Sequence, residues 1–139
     1  MKKSKPILLV EDDDVDVMTV KRAFGELKIT NQLVCANDGK EALEYLRNKG
    51  NKIPCLILLD LNMPGMNGFG FLTSVKADNT LKKIPVIVLS NSGEVQDKQK
   101  TFDSGIAGYI VKPTDYEKFV EAVRTVNLYW TLSELPNGD

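Results

Sequence analysis

An apolar run from Leu56 to Leu59 stops on a carboxylate, Asp60, and constrains the fold more than any other stretch of the chain. A Pro-Gly pair at 64–65 follows and marks a turn. Short runs that are apolar at every residue and bounded by turn signals are typical of strands buried on both faces of a parallel sheet. In open parallel sheets the functional groups lie at the carboxyl ends of the strands, so Asp60 is the first candidate functional residue.

Apolar segments alternate with helical patterns along the whole chain and predict an α/β fold. The predicted strands cover about 6–10, 32–36, 56–60, 84–89 and 107–111. Apolar residues at helical spacing follow each strand, and the connections are short. This alternation predicts a doubly wound (βα)5 sandwich, in which a five-stranded parallel sheet carries helices on both faces.

The chain of 139 residues is long enough for one domain with a core and too short for two. We expect a single domain over 1–139, with its core at about 6–130 and a loosely held tail at 131–139. Asp14 is the predicted N-cap of the first helix. A fourth, lightly packed helix is predicted over about 94–103.

Composition excludes several classes of function. The net charge of −1 at pH 7 argues against nucleic acid or an anionic membrane as a partner. The absence of histidine excludes histidine general bases, the usual zinc sites, Ser-His-Asp triads and a role as a histidine phosphodonor. The N-terminal lysines run into a strand too short for a signal sequence or a membrane span. Cys35 and Cys55 lie in apolar strand candidates, which predicts two buried thiols in a reducing compartment, the cytoplasm.

Polar residues stand at the C-terminal ends of four of the predicted strands. They are Glu11 and Asp12, Asp60, Ser90 and Lys112. Because these ends share one edge of a parallel sheet, the side chains can converge on one pocket. Clustered carboxylates repel one another, and a hard cation such as Mg²⁺ takes such ligands. A carboxylate there can act as a nucleophile and become an aspartyl phosphate, whose charge Ser90, Lys112 and the cation can stabilise.

On these residues the chain resembles the receiver domains of two-component response regulators, the CheY-like proteins. The motifs are Leu-Leu-Val-Glu-Asp-Asp at 8–13, Leu-Leu-Asp-Leu-Asn-Met-Pro-Gly-Met-Asn-Gly at 58–68, Val-Leu-Ser at 88–90 and Tyr-Ile-Val-Lys-Pro at 109–113. They stand in the family's order and spacing, which makes the set specific. The resemblance implies a flavodoxin-like fold with the sheet order 2-1-3-4-5.

The resemblance also implies a role for each site residue. Asp60 would be the phosphoacceptor. Mg²⁺, or alternatively Mn²⁺, would be held by Glu11, Asp12, Asp60 and the backbone carbonyl of Asn62. The implied phosphoryl-binding and switch residues are Ser90, Asn91, Lys112 and Tyr109.

Lys112 would pair with the phosphoryl group when it is present and with Asp60 when it is absent, and Tyr109 would turn inward on activation. The Lys112–Pro113 peptide bond would be cis. Asn91 departs from the very small residue that the family usually keeps after the switch serine. We expect Asn91 to screen the phosphoryl group and to change its rates of transfer or hydrolysis.

More narrowly, the stretches at 38–46 and 128–130 resemble those of stand-alone receivers that partner bacterial phytochrome histidine kinases. This implies a phosphorelay protein that accepts a phosphoryl group on Asp60 from a sensor histidine kinase, a phytochrome in the narrower case, and switches contacts with an unidentified downstream protein. No output domain is expected after the last helix. A homodimer is expected through the fourth helix, the fifth strand and the fifth helix, because the end of the last helix carries more apolar surface than one helix end normally hides.

Three alternatives stay open at this point. A pseudo-receiver or adaptor would act by binding, without phosphorylation. A phosphatase would need a second aspartate two residues after Asp60, where this chain has Asn62, so we expect a switch with only self-directed phosphotransfer and autodephosphorylation. A flavodoxin-like cofactor binder would need a Gly-, Ser- or Thr-rich loop after the first strand, where this chain has the acids 11–14.

Overall fold

The computed structural model describes residues 5–61, 68–90, 103, 105–112 and 115–132, the last four of these by backbone alone. The elements run β1 (Ile7–Val10), α1 (Asp14–Glu26), β2 (Leu33–Ala36), α2 (Gly39–Arg47), β3 (Leu56–Asp60), α3 (Gly68–Ala77), a 3₁₀ turn (Leu81–Lys83), β4 (Val86–Ser90), β5 (Gly108–Val111) and α4 (Tyr116–Leu132). The helix predicted over 94–103 lies outside the described residues except for residue 103, so α4 is the C-terminal helix. None of the described helices is both long and apolar enough to cross a membrane.

The strands form one parallel sheet in the order β2-β1-β3-β4-β5, which confirms the predicted fold and sheet order. In the register of the central pairs, Val10 lies opposite Leu59, and Asp60 lies opposite Leu89. Ser90 lies opposite Val111 at the last rung between β4 and β5. The ends of these strands are therefore level with one another at a single edge of the sheet.

Both faces of the sheet are buried, as the uninterrupted apolar runs predict. Along β3, Ile57 and Leu59 face one layer, and Leu56 and Leu58 face the other. All four side chains are at most 6% exposed. Helices α2 and α3 cover the first layer through Ala42, Leu43, Phe71, Leu72 and Val75, and helices α1 and α4 cover the second through Val20, Ala23, Phe24, Phe119, Val120 and Val123.

The N-terminus of α1 begins one residue earlier than predicted. Asp13, not Asp14, is the N-cap, and its Oδ1 accepts hydrogen bonds from the amides of Val15 at 2.8 Å and Asp16 at 3.2 Å. Asp13 has the extended backbone that an N-cap needs, whereas Asp14 is already helical. Either acid can cap a helix, so the sequence alone could not distinguish between them.

The two cysteines differ in burial. Cys55 is buried as predicted, but Cys35 is exposed, so the prediction of a second buried thiol is wrong. Cys35 lies in β2, which is an edge strand of the described sheet and is only partly covered. An apolar run predicts a strand equally well at the centre and at the edge of a sheet, and burial at the edge depends on the tertiary structure.

Candidate functional site

The sheet's hydrogen bonds continue past the strand ends and fix the backbone of the site. The amide of Glu11 donates to the carbonyl of Ala36 at 3.0 Å. The amide of Lys112 donates to the carbonyl of Ser90 at 2.7 Å. Asp60 is itself the last residue of β3. The sheet's hydrogen bonds thus fix the backbone positions of the polar residues predicted at the strand ends.

The acids at this edge form a compact cluster. Glu11 is 1% exposed and Asp60 is 2% exposed, whereas their neighbour Asp12 is exposed. One carboxylate oxygen from each of the three residues lies within 4.8 Å of the others. Two buried carboxylates and one exposed carboxylate make a site that is closed towards the core and open towards solvent.

Lys112 reaches into this cluster from the end of β5. Its Nζ lies 2.9 Å from Glu11 Oε1 and 3.2 Å from Asp60 Oδ2. A third carboxylate, Asp16 Oδ2 on α1, lies 2.8 Å from the same nitrogen. The Lys112 side chain is only 14% exposed, so its ion pairs with the buried Glu11 and Asp60 are largely desolvated, whereas the ion pair with Asp16 is partly exposed. One ammonium group therefore balances several negative charges.

These contacts shift the pKa values of two site residues. Burial, hydrogen bonding to Asp60 and the negative charge of Asp60 raise the pKa of Glu11 to about 8, and the nearby Lys112 opposes this only in part. Burial alone would lower the pKa of Lys112, but hydrogen bonds to Asp16 and Glu11 and the charge of Asp60 raise it above its usual value. In the metal-free site Glu11 therefore holds a proton more tightly than an ordinary carboxylate does, and a bound cation would compete with that proton.

Ser90 and Tyr109 occupy different environments. Ser90 is the last residue of β4 and is 2% exposed, next to the end of β5. Tyr109 lies in β5 opposite Val88 and is half-buried against the layer that α2 and α3 cover. Ser90 therefore stands at the edge with the acids and Lys112, while Tyr109 lies within the sheet.

Three predicted site features lie outside the described residues. They are the backbone carbonyl of Asn62, the side chain of Asn91 and the Lys112–Pro113 peptide bond. Their roles stay predictions.

Asp16 is the site residue that the sequence analysis missed. In the sequence, the helix dipole alone is enough to explain a negative charge at this place in the first turn of α1. Its contact with Lys112 spans 96 residues of sequence and depends on how α1 lies over the end of β5. The spacing within α1 carries no signal for such a contact.

The chemistry of the cluster fits a hard divalent cation. Glu11, Asp12 and Asp60 supply only carboxylate oxygens, which Mg²⁺ prefers, and the exposed side of the cluster leaves room for the waters that Mg²⁺ keeps. A cation there would also offset the burial and the negative charge of Asp60, which raise the pKa of Glu11. These residues could hold Mg²⁺ or Mn²⁺.

The sequence matches a known protein family and is similar to characterised proteins. Residues 7–124 match the family described as response regulator receiver domain. Among curated proteins, the chain is 35% identical to the probable methanogenesis regulatory protein FilR2 of Methanothrix harundinacea, over 89% of this chain and 82% of that protein.

Two solved structures are similar over nearly their full length. The phosphorylated cyanobacterial phytochrome response regulator RcpA is 36% identical, with a TM-score of 0.86 and coverage of 95% of this chain and 98% of that chain. The Mn²⁺-bound form of response regulator Rcp1, a protein of Synechocystis sp., is 31% identical, with a TM-score of 0.85 and coverage of 95% and 99%. With its matching sheet order and acidic edge, the chain belongs to the response-regulator receiver family.

Proposed function

We propose that this protein is a signalling switch that is operated by phosphorylation of Asp60. The observation that carries the proposal is the position of that carboxylate. It is buried at the end of the central strand, within 4.8 Å of the Glu11 and Asp12 carboxylates and 3.2 Å from the ammonium of Lys112. A nucleophile, a cation site and a phosphoryl-binding donor are thus available at one point.

The proposed transfer needs no other nucleophile. An oxygen of Asp60 forms a bond to phosphorus while the P–N bond of a kinase phosphohistidine breaks. Lys112 and the hydroxyl of Ser90 donate to the phosphoryl oxygens. Mg²⁺ held by Glu11 and Asp12 would supply the positive charge that lets an anion approach an anionic site. In the return step, water attacks phosphorus, the bond between phosphorus and the Asp60 oxygen breaks, and inorganic phosphate leaves.

A sensor histidine kinase is the proposed phosphodonor. The similarity to RcpA, a phytochrome response regulator by its name, supports a phytochrome as that kinase. The proposed output is a change in protein contacts on the face that includes β5 and α4, where phosphorylation would bias a pre-existing equilibrium. A homodimer through the same face, in the cytoplasm, is part of the proposal. Sedimentation that shows a monomer both with and without beryllofluoride, an analogue of the phosphoryl group, would contradict the dimer.

Intact mass after incubation with acetyl phosphate and Mg²⁺ tests the switch. The native chain is expected to gain one phosphoryl group, and to gain none when Mg²⁺ is withheld. Asp60→Asn is expected to gain none under either condition. A native chain that stays unmodified throughout would contradict the proposal and favour a receiver-like protein that acts by binding alone.

A further inference from the structure

The shortest of the three ion pairs that the Lys112 ammonium makes is to a residue outside the acidic cluster. Its Nζ lies 2.8 Å from Asp16 Oδ2, against 3.2 Å for Asp60 Oδ2. An ammonium group has three donors, and the carboxylates of Asp16, Glu11 and Asp60 are in position to accept all three. The ammonium is therefore fully engaged, and it lies closer to α1 than to the proposed phosphoacceptor.

Asp16 differs from the other acids around Lys112. Its side chain is 40% exposed, whereas those of Glu11 and Asp60 are 1% and 4% exposed. It is not one of the three acids whose oxygens lie within 4.8 Å of one another. Asp16 can therefore act on the site through Lys112 without being a ligand of the cation.

A cavity of about 300 Å³ lies beside this contact, between α1 and the start of α4. Asp16, Arg22, Lys112 and Tyr116 line it. The Arg22 guanidinium stacks 4.0 Å from the centroid of the Tyr116 ring, so a second contact joins α1 to the segment that follows β5. Lys112 and Asp16 thus both border this cavity.

We propose that Asp16 is a positioning residue that draws Lys112 towards α1 and so opposes its contact with a phosphoryl group on Asp60. This inference rests on the proposed function, because it concerns the lysine that would bind the phosphoryl group. When the phosphoryl group is present, Lys112 must move towards it against the attraction of the Asp16 carboxylate. The negative charge of Asp16 also repels the phosphoryl group itself.

The test is calorimetric titration with beryllofluoride at saturating Mg²⁺, so that a change in cation affinity does not enter the result. Asp16→Asn keeps an oxygen that can accept a hydrogen bond but removes the charge. It is expected to bind beryllofluoride about threefold more tightly than the native chain, the size expected for a partly exposed ion pair. Asp16→Ala, which removes the acceptor as well, is expected to show at least as large a gain.

Asp14→Asn is the matched control. Asp14 is exposed in the same first turn of α1, carries the same charge and takes no part in the ion pairs described for Lys112. The affinity of Asp14→Asn for beryllofluoride is expected to stay near the native value. This control distinguishes an effect that acts through Lys112 from an effect of removing any negative charge near the site. Asp16→Glu restores the carboxylate. Its affinity for beryllofluoride is expected to be closer to that of the native chain than the affinity of Asp16→Asn is.

The outcomes separate the two proposals. A native chain that does not bind beryllofluoride with Mg²⁺ would overturn the proposed function, and the role of Asp16 with it. A native chain that binds, together with an Asp16→Asn affinity equal to that of Asp14→Asn or weaker than native, would overturn the role of Asp16 alone.

Discussion

The side chains of the apolar core layers and the carboxylates of Glu11 and Asp60 at the C-terminal edge of the sheet are equally buried, but one group is apolar and the other is ionisable. Leu59, in the layer under α2 and α3, is fully buried, and one residue later Asp60 is 2% exposed. Burial of the apolar layers stabilises the fold directly. Burial of the carboxylates at the edge opposes folding unless an ion pair, a proton or a cation compensates. The difference shows that stability comes from the layers, while the edge is arranged for chemistry.

The largest expected loss of stability comes from a substitution in the apolar core layers. Phe71 is fully buried, and Phe71→Ala is expected to lower the free energy of unfolding by about 3–5 kcal/mol, because it leaves a cavity. Urea denaturation measures it. Phe69→Ala is the matched control, since Phe69 is a half-buried phenylalanine on the same helix. Equal losses in the two variants would contradict the assignment of Phe71 to the core.

The second expected effect on stability comes from removing the positive charge of Lys112 at the C-terminal edge of the sheet. Lys112→Met leaves Glu11, Asp16 and Asp60 without their shared cation and is expected to lower the free energy of unfolding by about 3 kcal/mol in metal-free buffer. Added Mg²⁺ is expected to stabilise this variant more than it stabilises the native chain. Lys118→Met, at an exposed position of α4, should change stability by less than about 0.5 kcal/mol. A Lys112→Met variant more stable than the native chain would show that the edge does not need this cation.

The third expected effect is a pH dependence of the free energy of unfolding that arises from Glu11. Its pKa is raised to about 8 in the fold, so the folded state keeps a proton that the unfolded chain releases near 4.5. Metal-free native protein should therefore lose stability relative to Glu11→Gln as the pH rises from 4.5 to 8. The raised pKa of Lys112 contributes stability that is constant in this window, because it is lost only as the pH rises above about 10.4.

Unfolding in urea across this pH range, with and without Mg²⁺, makes the measurement. Mg²⁺ is expected to make the difference in stability between the native chain and Glu11→Gln less dependent on pH, since a bound cation replaces the proton. If the native chain and Glu11→Gln differed by the same amount at every pH, Glu11 would not carry the proton.

The smallest effect concerns a helix end, away from both regions. Asp13→Ala removes the N-cap of α1 and is expected to lower the free energy of unfolding by about 1 kcal/mol. Asp14→Ala removes only a charge that favours the helix dipole and should cost about half as much. Thermal or urea unfolding of the two variants compares them directly, and the reverse order would favour Asp14 as the cap.

The fold and most of the edge could be predicted from the sequence, because both depend on local pattern. A strand such as Leu56–Asp60 that is apolar at every residue belongs in the middle of a parallel sheet, and its last residue then belongs at the functional edge. Glu11, Asp12, Ser90 and Lys112 follow from the same reasoning at the ends of other strands.

What could not be predicted depends on tertiary packing. The ion pair between Asp16 and Lys112 joins α1 to β5 across the molecule, and nothing in the spacing of either residue indicates it. The exposure of Cys35 depends on β2 lying at the edge of the described sheet. The choice of Asp13 over Asp14 as N-cap depends on a single backbone conformation.

Asp60, and no other acid of the cluster, is the proposed acceptor of the phosphoryl group. Borohydride reduction after incubation with acetyl phosphate and Mg²⁺ tests it most directly, because hydride converts an aspartyl phosphate to homoserine and releases phosphate. Peptide sequencing by mass spectrometry then locates the changed residue. Homoserine at position 60 alone is the predicted result. Reduction at Glu11 or Asp12, or a peptide spanning residue 60 that stays unreduced while phosphoryl is incorporated, would contradict it.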